Sequence, residues 1–366
     1  MSPMKILCVI VWWVILSATL QAQTTLSGMV TDSLNIPIPY ASVYLAKTTY
    51  GNITTEKGTY SLTIPEEGTY ELVASSIGYE SETRRIKLKG QQMQINFSLK
   101  ERPILIKEVT VKDKDKNRPQ NYEKFLRCFI GMSAHSPYCT IDNPKDLVVY
   151  RDSEEKNLIA YSKQPLIITN SALGYKIMYD LKYFKHEPSN GHLQFSGHYY
   201  FIDISNQKRA NSRINRNRLI AYYGSRMHFL RALFTDSIMQ ENYEILNIES
   251  DSSDIVVSTD PMQAEEIRLT VNADSMTLYR CCPAVIKYGD NHPELYPLPH
   301  VYKSRSYYSV IRLNDTVQVY KNGYYSDIYN ISWGGHMAND RIAEMLPYDF
   351  RPKPYGRMPK QPKPRN

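Results

Sequence analysis

The chain has 366 residues, 42% of them hydrophobic, with 44 lysines and arginines against 37 aspartates and glutamates and a formal net charge of +7. That length suits two domains, and the apolar fraction is ample for packed cores. Lys5 and the six bases of the segment Arg351–Asn366 account for the whole positive excess, so the body between them is neutral and its charge gives no reason to expect a nucleic-acid partner.

Met1–Lys5 carries one positive charge, and Ile6–Leu16 is an unbroken apolar run. Small and polar residues follow, with Ala18 and Ala22 at cleavage-compatible positions. A bilayer-spanning helix needs roughly 20 apolar residues, so residues 1–22 read as a signal peptide, with Gln23 the mature start. The expected location is therefore outside the cytoplasm. Cys8 leaves with the signal. Cys128, Cys139, Cys281 and Cys282 remain, and export would permit disulfides among them. Sequence does not choose among the three connectivities. Adjacent Cys281 and Cys282 are poorly placed to bond each other, because disulfide geometry wants Cα atoms about 5.5 Å apart.

From Leu26 to Leu99 the pattern is strand-like. Leu26, Gly28 and Val30 alternate with polar residues, as do Ala41, Val43 and Leu45, then Tyr60, Leu62 and Ile64, then Tyr70, Leu72 and Ala74, and finally Met93, Ile95, Phe97 and Leu99. Period two gives one buried and one wet face. Gly51, Gly58, Gly68 and Gly78 punctuate the runs, and Gly58 stands where a tight hairpin needs positive φ. Six or seven short strands in so short a stretch predict a β-sandwich over residues 24–100. The segments Gly28-Met29-Val30-Thr31-Asp32, Pro37-Ile38-Pro39-Tyr40-Ala41-Ser42-Val43, Thr55-x-x-Gly58-x-Tyr60 and Ile77-Gly78-Tyr79 resemble the carboxypeptidase-like regulatory domain, a transthyretin-like sandwich. The resemblance implies a non-catalytic module of the kind found ahead of TonB-dependent outer-membrane receptors and other envelope domains.

Residues 101–120, charged and ending near Pro119, read as a linker. The remaining length is far too short for a 22-stranded transporter barrel. Residues 121–347 predict a larger α+β domain with a mainly antiparallel sheet. A helix is expected at Asn121–Ser133, with Tyr122, Phe125, Cys128, Phe129 and Met132 on its apolar face. Strands are expected at 147–150, 158–161, 166–169, 175–184, 198–204, 245–248, 254–258, 267–271 and 307–313. A second helix is capped by Ser225, with Met227, Leu230, Leu233, Phe234 and Ile238 inward. A closing helix is expected at Asp340–Leu346, before Pro347. Segments such as Cys139-x-Ile141-x-Asn143-Pro144 and Gly224-Ser225-x-Met227-His228-Phe229-Leu230-Arg231 resemble exported Gram-negative proteins to which no activity is assigned. Residues 348–366 read as a basic, proline-rich disordered tail, able to reach an anionic membrane or a partner protein.

No catalytic residues, metal or cofactor are expected. No histidine is followed by Glu three residues on, His-Glu-x-x-His is absent, and there is no Gly-x-Ser-x-Gly elbow. His192 and His198 suit one strand face but lack a carboxylate companion. The charge feature that stands out is Lys208, Arg209, Arg213, Arg216, Arg218, Arg226 and Arg231, uninterrupted by Asp or Glu. It reads either as a solvated helix face or as an anion-binding surface, since Arg forks match oxyanions. Arg231 falls among apolar helix positions and needs a carboxylate or a carbonyl-rich loop as partner. Tyrosine is abundant, at 30 residues, and suits half-buried sheet positions or sugar-stacking surfaces. The expected function is a non-catalytic envelope protein with a binding or assembly role at the periplasmic face of the outer membrane, its partner an envelope protein or glycan. The alternatives are a polysaccharide-binding accessory protein, which an exposed row of tyrosines would favour, and a hydrolase of unrecognised type, which a pocket joining His228, Arg231 and a perturbed carboxylate would favour.

Overall fold

Alternation in the first hundred residues is realised as eight strands. A computed structural model of the protein describes residues 23–102, 117–152, 156–205, 210–251, 254–289, 307–326 and 329–352. The expected signal peptide, most of the expected linker, Lys208, Arg209 and the expected tail beyond residue 352 lie outside the described residues. The chain divides into two units: residues 1–45 with 50–104, and residues 46–49 with 105–366.

In the first unit, β1 (Thr24–Asp32) pairs antiparallel with β4 (Thr59–Ile64). It also pairs parallel with β7 (Gln92–Gln94) and β8 (Phe97–Leu99). The second sheet runs β3 (Gly51–Ile53), β2 (Ser42–Leu45), β5 (Gly68–Ser75), β6 (Glu82–Leu88), all antiparallel. Leu26, Val30, Tyr60, Leu62 and Phe97 from one sheet meet Val43, Leu45, Leu72, Ala74 and Ile86 from the other in a single core. This is the expected sandwich. Gly58 takes φ +71° and its carbonyl accepts from Val30 N–H at 2.8 Å.

The second unit is α+β and its sheets are antiparallel throughout. The first has six strands: β10 (Leu147–Arg151), β11 (Leu158–Ser162), the long β13 (Tyr175–His186), β12 (Leu166–Asn170) and β9 (Cys139–Ile141), with β14 (Leu193–Asp203) on the other edge of β13. Its inner face packs on α1 (Arg118–Phe129) and on α2 (Ala210–Tyr222) through Phe125, Phe129, Tyr179, Phe184, Phe201 and Tyr222. A five-stranded sheet follows, β16 (Asp254–Pro261), β15 (Tyr243–Asp251), β19 (Ala284–Tyr288), β20 (Tyr307–Leu313), β22 (Ile331–Gly335). The third is β17 (Arg268–Val271), β18 (Ser275–Leu278), β21 (Val317–Tyr320). These enclose a second core around α3 (Arg226–Phe234), with Phe229, Leu230, Leu233, Ile286 and Ile311 inside.

Several expectations change. The first helix starts at Arg118, inside the expected linker, with Pro119 in its first turn where a missing N–H costs nothing. It ends at Phe129 because Gly131 (φ +102°) turns the chain, which leaves Met132 exposed at 78% rather than inward. The expected closing helix at 340–346 is instead two 3₁₀ turns, His336–Asn339 and Ile342–Glu344, with Arg341 extended between them. Tertiary partners take the backbone groups a helix would have used: Ala343 N–H donates to Ile130 O, and Ala343 O accepts from the Asn170 amide. Tyr348 and Phe350 pack on the first core, so the ordered chain runs past the expected start of the tail. Helix α2 and strands β9, β18, β19, β21 and β22 were not anticipated. Among the described residues no helix is long and apolar enough to cross a membrane.

Candidate functional site

Among the described residues the bases of this run do not gather on one surface. Arg213 and Arg216 lie exposed on α2, while Arg218 is buried. Its guanidinium donates to Leu173 O at 2.7 Å and Gly174 O at 3.3 Å, meets Asp203 at 3.0 Å, and stacks 3.9 Å over Tyr175. Asp203 is itself partly desolvated, yet hydrogen bonds from Ser205 and Arg218 hold its carboxyl below the usual range. Arg226 donates through Nε to Met337 O at 2.7 Å, and Arg231 through its three nitrogens to Asn322 O, Phe350 O and Tyr348 O at 2.9–3.0 Å. Arg231 thus finds the carbonyl-rich loop its position demanded. Burial lowers the pKa of its guanidinium, and three fixed acceptors offset the desolvation. Arg218, Arg226 and Arg231 tie the interior together, each at a different place.

Around α3 the polar groups form an internal network. The Ser225 hydroxyl caps the helix by accepting from His228 N–H at 3.2 Å. The imidazole of His228 is 2% exposed. Gly224 N–H, which can only donate, points at His228 Nδ1 at 3.2 Å, and the Tyr243 hydroxyl lies 2.9 Å from the same nitrogen. Nδ1 is therefore the acceptor, and the ring hydrogen sits on Nε2, which faces Glu241 Oε2 at 3.0 Å. Carboxylate, imidazole and hydroxyl in that order is what an activated nucleophile requires. Here Tyr243 is 1% exposed and packed among Phe229 and Tyr288, so no substrate meets its oxygen. Burial, reinforced by neighbouring tyrosines and carboxylates, pushes its phenol well above the usual range.

On the other side of the helix start, Asp340 accepts from Arg226 N–H at 2.8 Å, with the Arg226 Nε 3.9 Å away. Burial raises its pKa to about 6 against the pull of Arg226. Arg341 is brought down to about 10 by burial and by Arg226. His228 and Arg231 thus share a helix, but the perturbed carboxylate belongs to Arg226.

A different surface is built by strand alternation. In the six-stranded sheet, odd positions of β13 before its bulge, such as Ile177 and Tyr179, enter the core, and even ones face away. The register of β14, β11, β10 and β12 places Tyr200 opposite Met178, Ile167 beside Met178, His198 opposite Asp180, Tyr161 opposite Val148, and Tyr150 opposite Ile159. A bulge between Leu181 and Tyr183 returns Tyr183 to this outer face, opposite Ser196. Tyr150, Tyr161, Tyr183 and Tyr200 are half-buried there and belong to neither hydrophobic core of the unit. Burial, with Tyr161 and Asp152 nearby, raises the phenol pKa of Tyr150. The lysines of the face have acidic neighbours: Lys182–Asp180 at 2.6 Å, Lys185–Glu187 at 3.0 Å and Lys176–Asp142 at 3.9 Å. His192 lies in the turn before β14, so it does not share a strand with His198. Among the described residues no group of three or more histidines, cysteines, aspartates and glutamates is placed to hold a metal ion.

The described tyrosines of the last third are mostly structural. Tyr288 and Tyr320 are buried, Tyr324 stacks on Tyr320 at 5.5 Å, and Tyr308 and Tyr329 are exposed. The outer-face tyrosines were missed because they are spread over four strands. Period-two alternation within each strand was their signal, and strand pairing was the missing half.

Residues 26–111 match the CarboxypepD_reg-like domain, a non-catalytic fold. No curated protein matches the chain. Solved structures with partial likeness include a type II cohesin–X-dockerin complex from Acetivibrio cellulolyticus (21% identity over 20% of this chain and 52% of that chain, TM-score 0.18). A 3-chlorocatechol 1,2-dioxygenase from Rhodococcus opacus matches at 12% identity over 22% of this chain and 60% of that one, TM-score 0.18. A DUF3823 family protein from Bacteroides ovatus matches at 10% identity, 50% and 82% coverage, TM-score 0.16. The chain spans about half the length of the first of these, and none transfers an activity.

Proposed function

We propose that this protein is an exported, non-catalytic binding protein of the cell envelope, acting at the periplasmic face of the outer membrane, and that its second unit holds a glycan on the outer face of the six-stranded sheet. The observation that carries this reading is the set of Tyr150, Tyr161, Tyr183 and Tyr200 on one face of four adjacent strands. A tyrosine ring offers an apolar surface to the C–H face of a sugar and a hydroxyl to its oxygens. The lysines of the face are matched by carboxylates, which suits a neutral glycan better than a polyanion. The front sandwich, which matches a non-catalytic module, fits a docking role.

The test is retention of the mature protein on immobilised neutral and anionic polysaccharides, for the native chain and the Tyr161→Ala/Tyr200→Ala variant. Selective retention on a neutral polysaccharide, weakened at least tenfold in the variant, supports the reading. Equal retention of both proteins, or retention on polyanions only, refutes it. An assembly role through a protein partner would instead appear as recovery of a discrete envelope protein from solubilised membranes, lost on removal of residues 353–366.

A further inference from the structure

Cys281 and Cys282 are both exposed, and their sulfurs stand 3.6 Å apart at the entry to β19. The turn that carries them is pinned on either side. Arg280 donates through Nε to Cys282 O at 3.0 Å and through its terminal nitrogen to the Asn247 side chain on β15, while Ala284 pairs with Asn247. The pair is thus held on the five-stranded sheet.

Two consequences follow from elementary geometry. Neighbouring Cα atoms are about 3.8 Å apart across a trans peptide, below the usual disulfide span of about 4.4–6.8 Å. A bond between these two sulfurs is strained and easily reduced, so oxidation between them is disfavoured where other pairs would close. In addition, a tetrahedral ion with bonds of about 2.3 Å to sulfur spans two sulfurs roughly 3.8 Å apart. The observed separation fits that span with little adjustment.

We propose that Cys281 and Cys282 form a two-thiolate chelate for a thiophilic d¹⁰ divalent cation of the zinc or cadmium kind. Each thiol surrenders its proton as its sulfur binds, so one cation enters, two protons leave, and no electron is exchanged. Two positions of the tetrahedron stay open for water or for an external ligand. The other two cysteines compete poorly, since Cys139 is buried and Cys128 is half-buried.

The probe is Cd²⁺ added to the reduced mature chain without oxygen, followed by thiolate-to-metal charge-transfer absorption and by proton release in weak buffer. The expected result is one Cd²⁺ and two protons per chain. Cys281→Ser and Cys282→Ser should each weaken binding more than tenfold, and a Cys128→Ser/Cys139→Ser chain, shown folded by circular dichroism, should bind as the native one does. No charge-transfer band in the native chain, or a band that survives in the Cys281→Ser/Cys282→Ser chain, overturns the proposal.

Discussion

Asp340 is the residue through which pH should act most directly on the fold. Its carboxyl is raised to about 6 from an ordinary 3.8, because burial outweighs the attraction of Arg226. The side chain is 20% exposed, so solvent screens it only in part. The folded chain then binds this proton more tightly than the unfolded chain. Stability from this group is fully present below the unfolded value and falls as pH rises toward the folded one. A gap of about two pKa units corresponds to roughly 3 kcal/mol, an upper figure for a carboxylate that keeps one backbone donor. Asp340→Asn retains an acceptor for Arg226 N–H and removes the charge. It should be more stable than the native chain by about 1–3 kcal/mol at pH 7.5 and indistinguishable from it near pH 4. Urea unfolding at the two pH values, followed by tryptophan fluorescence, measures this. A variant less stable than the native chain at pH 7.5, or a difference independent of pH, would refute the assignment of burial as the dominant effect.

Arg231→Lys keeps the charge but satisfies at most part of the three-carbonyl cradle. A loss of about 2–4 kcal/mol is expected in thermal unfolding, since charge-assisted hydrogen bonds to buried carbonyls are removed. At Gly28 an added Cβ would overlap the backbone oxygen of Ile95 and press on the ring of Tyr60, whose hydroxyl donates to that same oxygen. Gly28→Ala should therefore destabilise the first unit by about 2 kcal/mol or more, read from denaturant unfolding of an isolated 23–104 fragment beside its native counterpart. Thiol alkylation should proceed in two phases: Cys281 and Cys282 first, and Cys139 only on unfolding, because burial and the nearby Glu344 push its thiol up to about 12. Mass spectrometry of partially labelled chain checks the order, and early labelling of Cys139 would contradict its burial.

Local chemistry was legible wherever it was self-sufficient. The alternation of Tyr60, Leu62 and Ile64 and the positive φ of Gly58 are properties of a few consecutive residues, and the front sandwich followed from them. So did Ser225 as a cap, because its oxygen serves an N–H only three residues on. The demand of Arg231 for carbonyls was legible too, since a charge set among apolar positions must be paired. Their identity was not: they come from Asn322, Tyr348 and Phe350, far along the chain. The same distance hid the closing turns at 336–344, where partners from residues 130 and 170 outbid local helix formation. It also hid the basic run's fate, because sequence adjacency of arginines says nothing of which way each helix face points.

Periodicity, turn positions and the need of certain charges for company were already written in the order of residues, since each depends on covalent neighbours and on the free energy of burying them. Convergence came only with the folded chain. Strand register brought four tyrosines from four separate strands onto one face, and folding locked His228 and Tyr243 into the interior with Glu241 meeting them from the surface. Register is set by pairing between distant segments, and no local pattern encodes it.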